Sequence, residues 1–319
     1  MENSVKVSIL VPFYNVEKYV GRCVDSLFTQ TYSNIEYVFV NDCTPDRSMD
    51  VIQEHIEKYD MSEKCKIIVH KENKGICASR NDCLDNATGD YVLFIDSDDY
   101  IDKDMVELLV EAADRDSADI SGCGYTEEYD DHSVDFPQKY TNDYNEMLKA
   151  ITILTIKGVM WKLLIRRSVI EDNHIRFMPE KNMVDDYLFC CQVFFYSHSF
   201  TGVDKCMYHY IQFNPNNYSQ RSFYNINHQA QAIIETEKFY KEKGVYDIVK
   251  QELYIRKFIA KKPLLMDKCC IDVKKWREIF PESNDAWKYL NFSRGNQLLF
   301  RLAQSPFYWL IHLLYKIRK

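Results

Sequence analysis

The chain has 319 residues, of which 46% are apolar and 14% aromatic, and its formal net charge is −8. So many apolar residues exclude a disordered chain and are enough for the core of one large domain or two modest ones. The acidic balance argues against a protein that coats nucleic acid, because phosphate binding needs a basic face. Residues 1–6 are polar without a leader pattern, and the 11 cysteines include no Cys-x-x-Cys pair, so we expect a cytoplasmic protein with reduced thiols.

Strand and helix patterns alternate along the first 95 residues. Runs of β-branched and aliphatic residues predict strands, the first two of them buried, and amphipathic spacing predicts helices between them. This order predicts an α/β fold with right-handed crossovers, in which ligands lie at the carboxyl ends of the strands. No glycine-rich loop of the nicotinamide or P-loop type follows a strand. The predicted strands are Val5–Pro12, Ile35–Val40, Lys66–Val69 and Tyr91–Ile95.

The patterns change in the second part of the chain. Residues 125–145 are polar and acidic, which indicates a surface loop or insertion. Helical spacing follows at Met147–Ile156, and an apolar helix begins at the acidic pair Asp185 and Asp186. Further helical patterns extend to about residue 270, so we expect a helical C-terminal region.

The C-terminal tail differs in charge from the rest of the chain. After Asp285 there are six basic residues and no acidic ones. Phe307, Leu310 and Ile311 begin an apolar stripe that predicts an amphipathic helix, whose apolar run is far shorter than the roughly 20 residues that span a bilayer. Such a helix can lie among anionic lipid headgroups, and packing on the domain is the alternative.

Three aspartates, Asp96, Asp98 and Asp99, directly follow the fourth predicted strand. Their charges repel one another unless a cation or solvent screens them. Oxygen ligands select a hard divalent ion such as Mg²⁺ or Mn²⁺, which keeps positions open for phosphate oxygens. The cluster therefore indicates a metal that bridges the protein to a diphosphate, and a helix N-cap with a solvated acidic first turn is the alternative.

Other polar residues follow predicted strands or open predicted helices. If a diphosphate leaves a sugar carbon, the attacking hydroxyl needs a base elsewhere in the chain, and Asp185 and Asp186 are the candidates, with helix capping as the alternative. Gly75 opens the third predicted helix, where free N–H groups favour an anion, and Arg80 follows; a turn and a surface ion pair are the alternatives. Asp42 can accept hydrogen bonds from a uracil ring or a ribose, or form an Asx turn.

Taken together, these segments resemble glycosyltransferase family 2, the inverting enzymes of the GT-A fold. The resemblance rests on SILVPFYNVEKYVGRCVDSLFTQTYSNIEYVFVND, NKGICASRN, ATGDYVLFIDSDDYI and VDDYLF, which stand in the family's order. It implies a Rossmann-like mixed sheet flanked by helices, the fold of nucleotide-diphospho-sugar transferases. The implied domains are a GT-A domain over residues 1–215, with a nucleotide-sugar-binding half (1–105) and an acceptor and catalytic-base half (106–215), and a helical region over residues 216–319 with its basic tail at 290–319.

The resemblance assigns roles residue by residue. It implies that Asp96 and Asp98 hold a divalent metal, Mn²⁺ or Mg²⁺, and that Asp186 is the catalytic base, with Asp185 beside it. Arg80 would lie near the diphosphate. Asp96 and Gly75 would also line the donor site, together with four residues around the nucleotide base and ribose: Pro12, Tyr14, Glu17 and Asp42, the last contacting the base.

Two later segments, WKLLIRRSVIEDNHIRF and CMYHYIQFNPNNYSQRS, look like those of bacterial enzymes that build capsular, exopolysaccharide or O-antigen units. They imply acceptor and phosphate contacts at Trp161, Lys162 and Arg221. The chain departs from the family where Asn41–Thr44 replaces Asp-Asp-Gly-Ser and where Asp185 replaces Glu. It also lacks the Gln-x-x-Arg-Trp string of processive members, which favours the addition of a single sugar.

The implied function is metal-dependent, inverting transfer of one sugar from a nucleotide-diphospho-sugar. The donor would be a UDP-sugar, with UDP-galactose and UDP-N-acetylhexosamines first. The acceptor would be a hydroxyl of a glycan or of an undecaprenyl-diphosphate-linked oligosaccharide in bacterial surface polysaccharide synthesis, reached at the inner face of the plasma membrane through peripheral contact by the basic tail. A catalytically inactive GT-A-like scaffold and a nucleotidyltransferase are the alternatives, although the second would normally have a glycine-rich basic loop where this chain has PFYNVEKYV.

Overall fold

The predicted strands of the first 95 residues form one half of a mixed sheet in the computed structural model, which describes residues 5–178, 185–214, 222–267 and 269–311. The four strands are parallel, and β1 is buried along its whole length, as expected for a strand covered on both faces. In chain order they are β1 (Val7–Phe13), β2 (Ile35–Asn41), β3 (Cys65–Val69) and β4 (Tyr91–Phe94).

Three helices connect these strands and confirm the predicted alternation: α1 (Val20–Phe28), α2 (Ser48–Lys58) and α3 (Ile76–Asp85). The apolar spacing of α1 buries Val20, Cys23, Val24 and Leu27. Because β1 pairs with both β2 and β4, the polar residues that follow these three strands are brought to the same edge of the sheet.

The other half of the sheet is mixed, and its strands are β5 (Tyr100–Ile101), β6 (Ile120–Glu128), β7 (Ser133–Phe136), β8 (Leu163–Arg166) and β9 (Phe200–Ile211). The whole sheet has the order β3–β2–β1–β4–β8–β6–β9–β5, with β7 paired to β6. Strand β8 is antiparallel to β4 and to β6, β9 is parallel to β6, and β5 is antiparallel to β9.

Residues 125–145, predicted to be a surface loop or insertion, form a hairpin in their first half. Strand β6 continues through Glu128 and β7 pairs antiparallel with it. The rings of Tyr125 and Phe136 stack with centroids 5.0 Å apart, and Thr126 Oγ1 donates to Asp135 Oδ1 at 2.7 Å. These cross-strand pairs stabilise a hairpin that the polarity of the segment did not predict, whereas residues 137–143 have neither strand nor helix.

The α-helices that the described residues form in this part of the chain are α4 (Met105–Asp116), α5 (Tyr144–Ile153), α6 (Arg167–Glu171) and α7 (Asp185–Tyr196). The chain divides into two compact units. The first comprises Met1–Ile151 and Thr155–Asn217, and the second comprises Thr152–Leu154 and Tyr218–Lys319. In the first unit one apolar cluster includes Ile9 and Leu93 from the sheet and Leu109 from α4.

The second unit is helical, with its own core. Phe258 packs edge-on against Phe300 and Trp276, with ring centroids 5.0 and 6.4 Å apart. Ile311 is fully buried in this core, whereas Phe307 and Trp309 are 60% and 52% exposed. The predicted amphipathic stripe beyond Ile311 lies outside the described residues. The helices are α8 (Ser222–Glu242), α9 (Tyr246–Lys261), α10 (Pro263–Met266), α11 (Val273–Glu278) and α12 (Arg294–Gln304).

The sequence also predicts reduced thiols and, in the C-terminal tail, an apolar run too short to span a bilayer. All eleven cysteines are free thiols, and seven of them are buried. No helix within the described ranges is both long enough and apolar enough to cross a bilayer.

Candidate active site

The aspartates after β4 differ in their surroundings. Asp99 is fully buried, and both of its carboxylate oxygens accept hydrogen bonds, one from Tyr208 Oη at 2.6 Å and one from the Ile211 amide at 2.8 Å. Asp96 and Asp98 are partly exposed. Asp99 therefore fixes the turn against β9, while Asp96 and Asp98 are available to a ligand.

Burial and mutual repulsion act on the two available carboxylates. Burial raises the pKa of Asp96 to about 6, Arg80 opposes this shift, and Asp186 and Asp98 add to it. Burial also raises the pKa of Asp98, although Asn214 Nδ2 donates to its Oδ2 at 2.9 Å. The protein therefore disfavours the ionised forms of both carboxylates. A bound cation would stabilise these ionised forms.

The donor set fits a hard divalent ion that is completed by its ligand. In the described part of the chain, no group of three or more His, Cys, Asp or Glu side chains is arranged to hold a metal by itself. Asp96 and Asp98 offer two carboxylates, and Mg²⁺ is commonly held by one or two carboxylates together with substrate phosphates and water. The residues present therefore fit Mg²⁺ or Mn²⁺ bound together with a diphosphate.

Arg80 connects Asp96 with the distant Asp186. Arg80 lies on α3 and is 6% exposed. Its Nη1 donates to Asp186 Oδ1 at 2.5 Å and its Nη2 to Asp96 Oδ1 at 3.3 Å. The two carboxylates raise the pKa of the guanidinium against the effect of burial, so the group stays charged. One cation thus brings together the predicted base and a predicted metal ligand.

The same region of α3 is attached to the segment before α7. Asn81 exchanges two hydrogen bonds with the backbone of Phe177, both at 2.9 Å. The Phe177 ring stacks on Phe189 of α7 with centroids 4.2 Å apart, and the Arg80 guanidinium lies 5.5 Å from the Phe177 ring centroid. The sequence analysis missed the role of Phe177, because no local pattern shows which aromatic ring lies beside Arg80.

Asp42 is buried and holds the loop before α3. Its Oδ1 accepts from the Lys74 amide at 2.7 Å and lies 2.8 Å from His70 Nδ1, and its Oδ2 accepts from the Gly75 amide at 2.8 Å. His70 Nε2 lies 2.6 Å from Asp82 Oδ2. Gly75 has φ +87°, a conformation that favours glycine. Contact of Asp42 with a nucleotide base stays a prediction. The sequence analysis missed the partner of Asp42, His70, which directly follows β3.

The loop after β1 is joined to the loop after β2. Pro12 is buried within β1, opposite Val40, while Tyr14 is 45% exposed. Glu17 is exposed, and its carboxylate accepts from the Arg47 amide at 3.2 Å. Of the four residues assigned to base and ribose, Pro12 and Asp42 are buried, whereas Tyr14 and Glu17 are exposed, and the roles of all four stay predictions.

The implied acceptor residues have different positions. Lys162 is fully buried, its ammonium donates to Tyr140 Oη at 2.9 Å, and burial lowers its pKa to about 8. This location contradicts a phosphate contact by Lys162. Trp161 is 3% exposed and stacks on Tyr208 with centroids 4.0 Å apart, so it supports the Asp99 turn. Arg221 and the side chain of Asp185 lie outside the described residues.

Solved structures share this fold. The S. aureus TarS 1-349 structure in complex with UDP-GlcNAc superposes with a TM-score of 0.70 and 21% sequence identity, covering 98% of this chain and 92% of that one. The mixed sheet flanked by helices is the predicted GT-A fold. At this identity the likeness concerns the fold alone.

Sequence relatives are also known. EpsH of Bacillus subtilis (strain 168) is 36% identical over 211 residues, which cover 64% of this chain and 60% of EpsH, so the match spans less than two thirds of that relative. The uncharacterized glycosyltransferase EpsJ of the same organism is 29% identical over 338 aligned positions, covering 98% of this chain and 96% of EpsJ. The family model described as Glycosyl transferase family 2 matches residues 8–173, just over half of the chain and ending before Asp186. The chain therefore belongs to glycosyl transferase family 2.

Proposed function

We propose that this protein transfers a single sugar from a nucleotide-diphospho-sugar to a hydroxyl group, with inversion at the anomeric carbon. The observation that carries the proposal is the meeting of Asp96 and Asp186 at the Arg80 guanidinium. These residues come from opposite halves of the sheet domain, and sequence reasoning assigned them separately to the donor phosphates and to the base. Their convergence supports a single site that serves both substrates.

The reaction is a direct displacement. The acceptor oxygen attacks the anomeric carbon from the face opposite the nucleotide, Asp186 takes the hydroxyl proton, and the carbon–oxygen bond to the nucleoside diphosphate breaks, with its electron pair leaving on the phosphate. An α-linked donor therefore gives a β-linked product. The side chain of Asp186 is 34% exposed, so an acceptor can reach it.

Asp96 and Asp98 would hold Mg²⁺ or Mn²⁺ together with the donor diphosphate. When bound, the ion supplies charge neutralisation at the departing phosphate oxygens. The protein's own contribution is to keep the two carboxylates accessible at the end of β4, which the buried Asp99 does by fixing the turn to β9.

We take a UDP-sugar as the donor because TarS, which shares the fold, was solved with UDP-GlcNAc. A thermal-shift panel of UDP-GlcNAc, UDP-GalNAc, UDP-galactose and GDP-mannose, each with Mn²⁺ and with EDTA, tests this. A donor at 100 times its Kd should stabilise the protein by about 2.7 kcal/mol, and a UDP-sugar should do so only with Mn²⁺. If no nucleotide sugar shifts the melting temperature, the protein is a scaffold with this fold and the proposal fails.

The acceptor is proposed to be a glycan or a lipid-diphosphate-linked oligosaccharide, met at an anionic membrane face through the C-terminal tail. Leu298, Phe307 and Trp309 are large apolar residues that are more than half exposed. Arg294 and Arg301 are exposed near them in sequence, and residues 312–319 add three more basic residues. Exposed apolar groups among cations match an anionic lipid surface, where each added charge contributes about 1 kcal/mol.

Replacing Phe307 and Trp309 with Ser should reduce sedimentation with phosphatidylglycerol vesicles by about tenfold, and phosphatidylcholine vesicles should bind neither form. Deletion of residues 290–319 is unsuitable as a test, because Phe300 and Ile311 belong to the core of the second unit. Tyr129→Ser and Val134→Ser, which change exposed apolar residues of the first unit, are the matched controls. Equal sedimentation of the Phe307/Trp309 variant and the parent would refute the membrane contact.

A further inference from the structure

Arg80 is enclosed by protein, unlike an arginine that waits for a phosphate. It is 6% exposed, and both of its terminal nitrogens already donate to carboxylates. Its Nε is buried and has no hydrogen-bond partner within the described ranges. Burying a guanidinium is costly unless it is paired, and here the pairs are Asp96 and Asp186. Its contacts with protein carboxylates and its low exposure therefore favour a role within the protein over a role as a free phosphate-binding group.

Arg80 forms a hydrogen bond with only one oxygen of each of the two carboxylates. Arg80 binds Oδ1 of Asp186 and Oδ1 of Asp96. Among the described residues, no side chain or amide donates to Oδ2 of either carboxylate. One oxygen of the base is thus anchored and the other is available to take a proton. A base that is anchored in this way loses little rotational freedom when the acceptor arrives.

The Arg80 guanidinium also packs against Phe177, whose ring contacts the helix that carries Asp186. The Phe177 ring lies beside it and stacks on Phe189, which belongs to the same helix as Asp186. The Asn81 amide ties the backbone of Phe177 to α3. Arg80 therefore has little freedom to move toward the donor without disturbing the helix that carries the base.

We propose that Arg80 is a positioning residue for Asp186, which fixes the base relative to the donor phosphates at Asp96, and that it does not bind the diphosphate itself. This inference rests on the proposed function. An ammonium group is a compact point charge on a flexible stem, and it lacks the planar fork through which the guanidinium holds the two carboxylates in a fixed geometry. A lysine at this position should therefore fail to replace the arginine.

The test compares Arg80→Ala and Arg80→Lys with the parent in steady-state transfer from a UDP-sugar with Mn²⁺. We expect kcat to fall about 100-fold in both variants, the loss that a misplacement of about 1 Å can cause, while the donor KM stays within about threefold. Methylguanidinium should restore part of the rate of Arg80→Ala and none of the rate of Asp186→Asn. Arg80→Lys keeps the buried charge, so it serves as the test if Arg80→Ala does not fold.

Arg176→Ala is the matched control. Arg176 also pairs with two carboxylates, Asp85 on α3 and Glu171, and its side chain is more exposed than that of Arg80. Its ion pairs include neither Asp96 nor Asp186. Its kcat should be unchanged. A raised donor KM with unchanged kcat in the Arg80 variants would show that Arg80 binds the diphosphate, which would overturn the inference. Unchanged values of both kcat and KM would show that Arg80 does not position the base, which would overturn it too. The proposed function fails if the parent protein itself neither binds nor uses any nucleotide sugar. The inference about Arg80 fails only if the parent is active and the variants give one of the two results above.

Discussion

Asp186→Asn should abolish sugar transfer while donor binding persists. The amide has nearly the shape of the carboxylate and its oxygen can still accept from Arg80, whose Nη1 lies 2.5 Å from Oδ1 in the parent. The amide cannot take the acceptor's proton at neutral pH. General-base catalysis contributes about 100- to 10,000-fold, so the turnover of the variant should fall by that factor.

The measurement is transfer rate together with the donor-induced thermal shift in Mn²⁺. Asp85→Asn is the control, because Asp85 is also a carboxylate that pairs with an arginine, at 3.0 Å from Arg176. The control should turn over at the parent rate. Ordinary turnover by Asp186→Asn would assign the base to another residue, whereas loss of the donor shift would mean that Asp186 also belongs to the donor site.

Alanine substitutions at the three aspartates after β4 should give two different results. Asp96→Ala and Asp98→Ala should both lose transfer and the Mn²⁺-dependent donor shift. Burial raises the pKa of Asp98, so the free protein gains little stability from its ionised form, and the melting temperature of free Asp98→Ala should change little. Asp96→Ala also removes a partner of the buried Arg80 guanidinium, so this variant should in addition melt at a lower temperature without any ligand.

Asp99→Ala should destabilise the free protein. Its removal leaves the buried Tyr208 hydroxyl and the Ile211 amide without their acceptor. Each unsatisfied buried group costs about 1–3 kcal/mol, and each kcal/mol lowers the melting temperature of a unit of this size by roughly 2–4 °C. Differential scanning calorimetry of the three variants decides the matter. If Asp99→Ala melted like the parent, the division of the cluster into accessible and structural aspartates would be wrong.

Much of the fold followed from the sequence because its signals are local. Strands β1, β2 and β4 have nearly continuous apolar runs and are buried as such runs predict, whereas β3, at the edge of the sheet, is partly exposed. The acidic cluster was recognisable for the same reason, since Asp96 and Asp98 directly follow a buried strand. The hairpin β6–β7 was missed because its pairs, such as Tyr125 with Phe136, depend on contacts across strands.

The missing parts of the site depend on long-range packing. Lys162 follows a tryptophan in an apolar segment, and only the fold shows that its ammonium is buried against Tyr140. Asn214 and Tyr208 contact the acidic cluster from positions more than 100 residues later in the chain. The link from Arg80 to Asp186 spans 106 positions. No periodicity within one element contains such information.

The attachment of Asp99 to strand β9 limits which pieces of this protein can be exchanged with relatives. The acid lies in the first third of the chain, while its two donors, Tyr208 and Ile211, lie about a hundred positions further on. A chimaera joined between them takes the acid from one parent and the donors from the other. Hybrids that draw all three from the same parent avoid this mismatch, so natural shuffling of donor and acceptor specificities should favour joints outside this interval.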